Sequence, residues 1–358
     1  YGDKTISVDF DIDSPIDPNL QLVFMPCRRD WTEEQDLFSD NFMNLIATNV
    51  HGMRADPRVN QYSFHYSDQF PDKSRHVVFE YSGNYKVMIV DGSDTIAEGR
   101  FYVVDQLSAI AMNVYNEIDR TYTPPQQIHN VEVVGTFAPE VFQTSIEEVD
   151  IIQQSRLLAP YRVFPGDTSG NSRIGFTGGY ISFTALNVLP GNAYRLLDIT
   201  DPGLFPPTTS PIAMVPKDII RTGLSATADY NGSEILKGTS PPYADYIPIR
   251  FRLDANGKRD ADIFVVGAFN GWIPDENSKM EYNVREDAYE CTLWLKRGGY
   301  DYQYVMGKID PQTHVVVDQN WIALEGNSWS APVAYTSLVY YSDPRYGGID
   351  RIVGSGRH

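Results

Sequence analysis

Several features that mark common classes of protein are scarce in this sequence of 358 residues. It has 2 cysteines, Cys27 and Cys291, and because we place them in different domains we expect free thiols rather than a disulfide. Cys291 alternates with Leu293 and Leu295, as a small core residue would. No apolar run approaches the roughly 18 residues of a membrane-spanning helix, so direct insertion into a membrane is not expected.

Basic residues are scarce relative to acidic ones. Lys+Arg 29 against Asp+Glu 47 gives a formal net charge of −18 at pH 7. A surface with this balance repels nucleic acid and anionic lipid. We therefore expect protein or neutral partners and no nucleic acid.

No arrangement of side chains for catalysis or metal binding is recognisable. The turn PGDTSGNS around Ser169 lacks the Gly-x-Ser-x-Gly order of a nucleophile elbow, and the 6 histidines show no pair at helical ligand spacing. Asp9, Asp11, Asp13 and Asp17 in VDFDIDSPID could meet one Ca²⁺, but the segment lacks the central glycine and distal glutamate of a calcium loop. We prefer a charged outer strand face there. We expect no metal, no cofactor and no enzyme, although a site in a cleft between domains stays open.

Aromatic residues, glycine and proline are abundant. The counts Tyr 23, Phe 17, Gly 27 and Pro 23 are typical of many short strands joined by turns. In KTISVDFDI, Ile6, Val8 and Phe10 fall on one face and polar residues on the other, as in a half-buried strand. The class predicted is all-β.

The spacing of the strand-like segments predicts three consecutive immunoglobulin-like β-sandwich domains. Domain boundaries are expected at residues 1–106, 107–236 and 237–358. Predicted strands of the first domain include LQLVFM, NQYSFHY, RHVVFEY, NYKVMIV and RFYVV, and Thr32 is the predicted N-cap of a short helix in RRDWTEEQDLFSDNFMNLI. EVDIIQQ, SRIGFTG, YISFTAL and AYRLLDI belong to the second, and YIPIRFRL, DIFVVGAF, AYECTLWL, GYDYQYVM, THVVVD and VAYTSLVYY to the third. After Asp105 the strand pattern lapses in QLSAIAMNVYNEIDRTYTPPQQ.

Two tryptophans of the predicted third domain are candidate exposed aromatics. In YECTLWL, Trp294 shares the polar face with Glu290 and Thr292, and Trp272 lies in the turn FNGW. Flat aromatics beside polar side chains suit sugar stacking or a protein contact. Covering the ends of a sandwich is the alternative role for both, and the sequence leaves these interpretations open.

The segment from Phe264 to Met306 resembles the glycogen-binding module of AMP-activated kinase and branching enzymes. That module runs as G-x-F-N-x-W, a middle strand, and a glycine-led turn into a Q-Y-x-F strand. Of its sugar-stacking positions only Trp272 has a counterpart here, while its lysine falls on Val305. The resemblance implies a sandwich of this kind without most of the sugar site.

A second resemblance covers nearly the whole chain. CRRDWTEEQDL, SGNYKVMIVDGSDTIAEGRFYVVD, VVGAFNGW, ALEGNSW and YYSDPRYGGIDRIVG look like segments of the type IX secretion system plug protein family. The family's motifs map in the same order to Asp30 and Trp31, residues 82–85, residues 229–232, Glu325 and Gly326, Tyr340 and Tyr341, and Arg345 and Tyr346. Two motifs depart from the family's pattern: Pro26, Cys27 and Arg28 stand where it has His-Cys-Asn, and its final R-Y-D is interrupted as RYGGID.

This resemblance implies a non-enzymatic periplasmic subunit, associated with the outer membrane, that docks on the translocon β-barrel of the system and closes it. Candidate contact residues are Trp31, Trp272, Trp294, Trp321, Trp329 and Arg345, and we expect the loop ALEGNSWSAP to form part of a contact surface. The alternative is a carbohydrate-binding protein with several sandwich domains that uses Trp272 and Trp294 to bind an α-glucan.

Overall fold

The computed structural model describes residues 5–72, 74, 77–177, 180–224 and 229–358. Strands account for 51% of the chain and helix for 6%, so the prediction of an all-β protein is confirmed. No helix among the described residues is long and apolar enough to cross a membrane.

The strands follow one another along the chain with a single α-helix, α1 (Gln35–Asn41), among the described elements. The first group is β1 (Ile6–Ile12), β2 (Leu20–Cys27), β3 (Ile46–Val50), β4 (Met53–Arg54), β5 (Phe64–Phe70), β6 (Gly83–Asp91) and β7 (Asp94–Val103). The second is β8 (Ser108–Asp119), β9 (Gln126–Phe137), β10 (Ile146–Gln153), β11 (Tyr161–Val163), β12 (Ser172–Thr177) and β13 (Tyr180–Val188). The third is β14 (Arg195–Asp198), β15 (Ile212–Ala213), β16 (Asp218–Ile219), β17 (Glu234–Leu236), β18 (Tyr246–Asp254), β19 (Asp262–Gly267), β20 (Lys279–Asn283), β21 (Ala288–Lys296), β22 (Gly298–Ile309) and β23 (Val316–Asn320). The last two are β24 (Tyr335–Asp343) and β25 (Ile349–Arg357).

Domain 1, formed by β1 to β7, is a sandwich of two antiparallel sheets. The sheets have the strand orders β1-β5-β4 and β3-β2-β6-β7. Alternate residues of each strand point between the sheets, where Leu22, Phe24 and Tyr66 are fully buried. The predicted strands LQLVFM, NYKVMIV and RFYVV lie in these sheets, whereas only the last three residues of NQYSFHY belong to a strand, β5.

Two local predictions in domain 1 fail. The first two residues of RHVVFEY lie outside the described residues, and Val77 forms an isolated bridge with Asp72 instead of a strand. Val77 and Phe79 pack in the domain 1 core, so the apolar pattern reflects burial without strand pairing.

The prediction that Thr32 is the N-cap of the short helix is the second to fail. Helix α1 has Glu34 at its N-cap position, while the hydroxyl of Thr32 donates to Asp30 at 2.6 Å.

Domain 2 is a sandwich of two four-stranded sheets, with the orders β12-β13-β9-β8 and β11-β10-β24-β25. Val133, Ile151 and Phe183 are buried between them. Strand β8 lies in the segment QLSAIAMNVYNEIDRTYTPPQQ, for which the sequence pattern predicts no strand. Its alternation of Ile110, Met112 and other apolar residues facing the core is regular, but small and polar residues dilute the apolar signal.

The last two strands do not belong to the third sandwich, where the boundary 237–358 placed them. Strand β24 pairs with β10 of domain 2, in a register that includes Val149 opposite Val339 and Gln153 opposite Tyr335. Val339 shares the domain 2 core with Val149. The paired residues are 182 to 195 positions apart in sequence. Hydrophobic pattern alone does not specify which distant sheet edge a strand joins.

Domain 3, formed by β14 to β23, is inserted between β13 and β24 of domain 2. Strand β14, from the predicted second-domain segment AYRLLDI, pairs with β22 and so opens domain 3. Strand β20 pairs with β19 through Met280 and with β21 through Tyr282, which connects the two layers of the domain. Ile249 and Phe251 are fully buried in its core. Both ends of domain 3 are therefore attached to domain 2.

Candidate functional site

The six predicted contact residues are spread over the molecule. Trp31 is in domain 1, Trp272, Trp294 and Trp321 are in domain 3, Trp329 precedes β24, and Arg345 lies between β24 and β25. They therefore do not form a single site.

Trp272 is a core residue. It is 5% exposed, its ring centroid lies 4.5 Å from that of Tyr194, and its indole Nε1 donates to the carbonyl of Gly232 at 2.8 Å. A buried, hydrogen-bonded indole offers no face for sugar stacking. The prediction that Trp272 is exposed is wrong, because the residues that cover it come from elements far away in the sequence.

Trp294 is 47% exposed, as the alternation in β21 predicted. It stands at a cavity of about 320 Å³ that is also lined by Asp11, Gln61, Tyr62 and Tyr246. Within the described chain, Gln61 Oε1 and the hydroxyl of Tyr62 have no hydrogen-bond partner. This cavity combines aromatic walls with residues that carry unpartnered buried polar atoms, a composition typical of binding sites.

Trp31 and Trp321 are each partly covered by an arginine. The guanidinium carbon of Arg100 lies 5.1 Å from the centroid of the Trp31 ring, and that of Arg156 lies 3.8 Å from the Trp321 ring. Such cation–π contacts fix the orientation of an indole and leave less of its surface for a partner.

Trp329 and Arg345 occupy different surroundings. Trp329 lines a cavity of about 450 Å³ together with His129, and its backbone amide donates to Gln127 Oε1 at 2.9 Å. The Arg345 side chain donates to both carboxylate oxygens of the buried Asp343. That hydrogen bonding is the main reason why the pKa of Asp343 falls to about 2.

The motif residues, in contrast, meet at the interfaces between domains. At the interface of domains 1 and 2, Asn84 donates to the carbonyl of Arg28 at 3.2 Å and accepts from the hydroxyl of Tyr340 at 2.8 Å. The Arg29 backbone amide donates to Asp350 at 3.1 Å, and its guanidinium donates to the same carboxylate. Motifs from both ends of the chain thus hold one interface together.

A cleft of about 820 Å³ opens beside this interface. Asp36 and Asp40 of α1 line it from domain 1, and Glu147 and Asp350 line it from domain 2. Its lining has more carboxylates than guanidinium groups. The cleft is therefore polar and acidic, unlike the mostly apolar pockets that bind small molecules.

Domain 1 also contacts domain 3 through a buried ion pair. Lys296 Nζ of β21 lies 2.5 Å from Asp11 Oδ2 of β1, and the hydroxyl of Tyr246 donates to the same oxygen at 2.9 Å. The second oxygen of Asp11 lies 2.8 Å from Nδ1 of His65. The prediction that Asp11 belongs to a charged outer face is wrong at this residue, because domain 3 covers the face.

A second buried network ties domain 3 to the loop that returns to domain 2. Glu325 is fully buried; its Oε1 accepts from Arg195 Nε at 2.9 Å and from the amide of Tyr304 at 2.8 Å. Arg221 lies 3.6 Å from its other oxygen. Burial raises the pKa of Glu325 despite the two arginines, which lower it.

The turn at residues 229–232 is held by Asp301 of β22. The amides of Tyr230 and Gly232 donate to Asp301 Oδ2 at 2.7 and 2.8 Å. Burial, the largest effect, raises the pKa of Asp301 to about 6. Because the carbonyl of Gly232 also accepts from Trp272, this turn is joined to the domain 3 core.

The hydrogen-bond networks around Asn84, Asp11 and Glu325 hold the domains together. Among the described residues, no group of at least three His, Cys, Asp or Glu side chains could hold a metal ion. The hydroxyl of Ser169 donates to Asp167 at 2.8 Å within its own turn.

Both cysteines are free, as predicted. Burial raises the pKa of the Cys27 thiol to about 11, which disfavours the reactive thiolate.

One buried pair was missed by the sequence analysis. Glu148 and Asp150 of β10 are 7% and 3% exposed, although they lie in a segment that was predicted only as a strand. Two carboxylates separated by one residue within a strand share a face, and that spacing is the signal that could have drawn attention to them.

Comparison with known proteins agrees with the resemblance seen in the sequence. Residues 2–105 match the family described as "Type 9 secretion system plug protein 1st domain". No curated protein matches the chain. The match covers domain 1, which contains the predicted motif positions Asp30, Trp31 and residues 82–85. It confirms the resemblance to the plug family and supports a role associated with type 9 secretion, in a family of a structural, non-enzymatic kind.

The whole fold also has a solved counterpart. A crystal structure of a hypothetical protein from Parabacteroides merdae ATCC 43184 aligns with a TM-score of 0.79 and 19% sequence identity. The alignment covers 100% of this chain and 91% of that chain. At this identity the likeness shows that the three-domain fold is shared.

Proposed function

We propose, from the premise that residues 2–105 form the first domain of a type 9 secretion system plug protein, that the chain is a non-enzymatic periplasmic subunit. In this proposal it docks on the outer-membrane translocon β-barrel and closes it. The family match is the observation that carries the proposal. The matched family is named for the type 9 secretion system and for a plug protein. The contact with the barrel is our inference.

The arrangement of the domains supports this role. A protein that closes a channel by its shape must keep that shape under load. Domain 1 contacts domain 2 through Asn84 and Tyr340, and domain 3 through Asp11 and Lys296. Domain 3 is attached to domain 2 at both of its ends. Each domain therefore contacts both of the others, which limits hinge motion.

Exposed aromatic side chains would be the contact points with the barrel. Of the predicted contact residues, Trp294 is the one we place at the interface first, because nearly half of its surface is exposed. Trp31, Trp321, Trp329 and Arg345 are further candidates at the edge of a contact, since each already has a partner within the chain. Trp272 is excluded by burial.

The test is a tagged pull-down from detergent-solubilised envelopes of the native cell, followed by mass spectrometry. We expect the wild-type protein to recover a large outer-membrane β-barrel and Trp294→Ala to recover several-fold less. Val284→Ala is the matched control, because Val284 is an 80% exposed apolar residue of the same domain. Absence of any outer-membrane barrel with the wild-type protein would show that the proposal is wrong.

Carbohydrate binding is a second candidate, favoured by one observation. The cavity at Trp294 places an exposed indole beside Tyr62 and Tyr246, and two buried polar atoms of its lining residues, Gln61 Oε1 and the Tyr62 hydroxyl, have no hydrogen-bond partner among the described residues. Titration with an α-glucan should then quench tryptophan fluorescence in the wild type and in Trp272→Phe, but not in Trp294→Phe. An unchanged wild-type spectrum at millimolar sugar would remove this candidate.

A further inference from the structure

Glu148 and Asp150 form an acid pair on the face of domain 2 that domain 1 covers. They are separated by one residue of β10, so both side chains lie on the same face of the sheet. Domain 1 packs Tyr102 of β7 on this face, against a cluster that contains Tyr340. The pair is thus enclosed between the two domains, with side chains that are 10% and 4% exposed.

One cation serves both carboxylates. Arg162 Nε lies 3.7 Å from Glu148 Oε1 and 3.9 Å from Asp150 Oδ1. Both of these oxygens are buried and have no hydrogen-bond partner among the described residues. Burying two anions beside one cation leaves a net charge that the protein interior does not solvate.

The remaining groups on this face do not neutralise the second carboxylate. The hydroxyl of Tyr340, from β24, donates to Asn84, and that of Tyr102 donates to the carbonyl of Leu157. The Arg29 side chain, from the loop after β2, pairs with Asp350 at 3.3 Å and lies 3.8 Å from Glu147. None of these three side chains makes a hydrogen bond to the acid pair.

We propose that Glu148 and Asp150 share one proton while domain 1 is docked on domain 2, and that the contact between the two domains loosens as rising pH disfavours this protonated pair. A shared proton supplies the hydrogen bond that the two oxygens lack and leaves one negative charge opposite Arg162. The inference concerns the chain by itself and does not rest on the proposed function.

The titration behaviour supports this arrangement. Burial, followed by the negative charge of the neighbouring Glu148, raises the pKa of Asp150 to about 8. In the undocked molecule the carboxyl is hydrated and its pKa returns to roughly 4. The docked state therefore binds the proton more tightly, so docking is strongest at low pH and weakens as pH rises towards about 8. Above that value both states are deprotonated, and the effect levels off.

The experiment is hydroxyl-radical footprinting of the full chain between about pH 6 and about pH 9. Tyr340 faces domain 1, whereas Tyr335 of the same strand faces the domain 2 core and serves as the internal reference. We expect the modification rate of Tyr340 relative to Tyr335 to rise up to about tenfold per pH unit until about pH 8, and then to level off. A ratio that stays constant over the range would overturn the proposal.

Three variants make the assignment specific. Asp150→Asn removes the titrating carboxyl and leaves one carboxylate for Arg162, so the Tyr340 ratio should stay low and independent of pH. Glu148→Gln removes the neighbouring charge but leaves Asp150 buried, so the ratio should rise less steeply with pH than in the wild type. Glu117→Gln, an exposed acid of β8 in the same domain, should keep the wild-type profile. If Asp150→Asn does not fold, the pH profile of the Tyr340 ratio in Glu148→Gln tests the proposal. A folded variant of the pair that retains the full pH response would refute the shared proton.

Discussion

The contact between domains 1 and 3 predicts a large effect from one substitution, Lys296→Met. The Lys296 side chain is 8% exposed and that of its partner Asp11 is 6% exposed. Methionine keeps the length and apolar character of the lysine stem but removes the charge. Asp11 then stays buried without its cation, in an interface that domain 3 continues to cover.

The expected loss in the free energy of unfolding depends on the hydrogen-bonding contacts that Asp11 keeps. Removing one partner of a buried ion pair costs about 3 to 5 kcal/mol. The hydroxyl of Tyr246 and the ring of His65 remain within hydrogen-bonding distance of Asp11, which places the loss at the lower end of this range. The ammonium also lies 4.7 Å from the Tyr62 ring centroid, a cation–π contact worth about 1 kcal/mol. We expect a total of about 3 to 4 kcal/mol.

Urea unfolding followed by tryptophan fluorescence measures this loss in the first transition of the chain. Lys279→Met is the matched control, because Lys279 pairs with Asp262 at 3.0 Å in the same domain but both side chains are about one-third exposed. We expect the control to lose less than about 1 kcal/mol. The double variant Asp11→Asn with Lys296→Met should recover at least half of the loss, since no buried charge remains. Equal effects of the two lysine substitutions would refute the reasoning.

Three further substitutions test the domain 3 core and its junction with domain 2, each by the same unfolding measurement. Trp272→Phe removes the donor to the Gly232 carbonyl and should cost about 1 to 3 kcal/mol; a neutral effect would contradict its assignment as a core residue. Glu325→Gln leaves Arg195 buried without its main anion and should cost about 3 kcal/mol, and an effect below 1 kcal/mol would argue against the network. Gly326 and Gly170 have similar backbone angles, φ 78° and φ 76°, but a methyl group at Gly326 would lie 3.2 Å from the Arg221 carbonyl whereas one at Gly170 would meet open space. Gly326→Ala should therefore lower the free energy of unfolding more than Gly170→Ala. Equal costs would show that backbone conformation alone matters.

The insertion of domain 3 into domain 2 bears on how the molecule responds to force. A domain joined by one linker can swing, whereas a domain with both ends in the same neighbour has less freedom. Here the neighbour is itself completed by the strands that follow the insertion, because β24 and β25 close one of its sheets. Domain 2 therefore cannot complete its sheet until domain 3 has been synthesised.

Much of the local structure could be predicted from the sequence. Alternation of apolar and polar residues identified β1, β2, β6 and most strands of domain 3, because side chains in a strand alternate between core and solvent. It also placed Trp294 on the exposed face of β21. The order of short motifs along the chain indicated the plug family, which the match over residues 2–105 confirms.

The tertiary structure decided which strands pair and which faces are covered. Tyr340 and Asn84 are 256 residues apart in sequence yet share a hydrogen bond, and nothing in either local pattern specifies the other. The same reason accounts for the errors at Asp11 and Trp272, whose covering residues come from distant segments. A local pattern determines the direction in which a side chain points, whereas long-range packing determines what lies there. Local patterns thus specify the strand content and the resemblance to the plug family. The nested domains and their buried interfaces depend on contacts that no local pattern encodes.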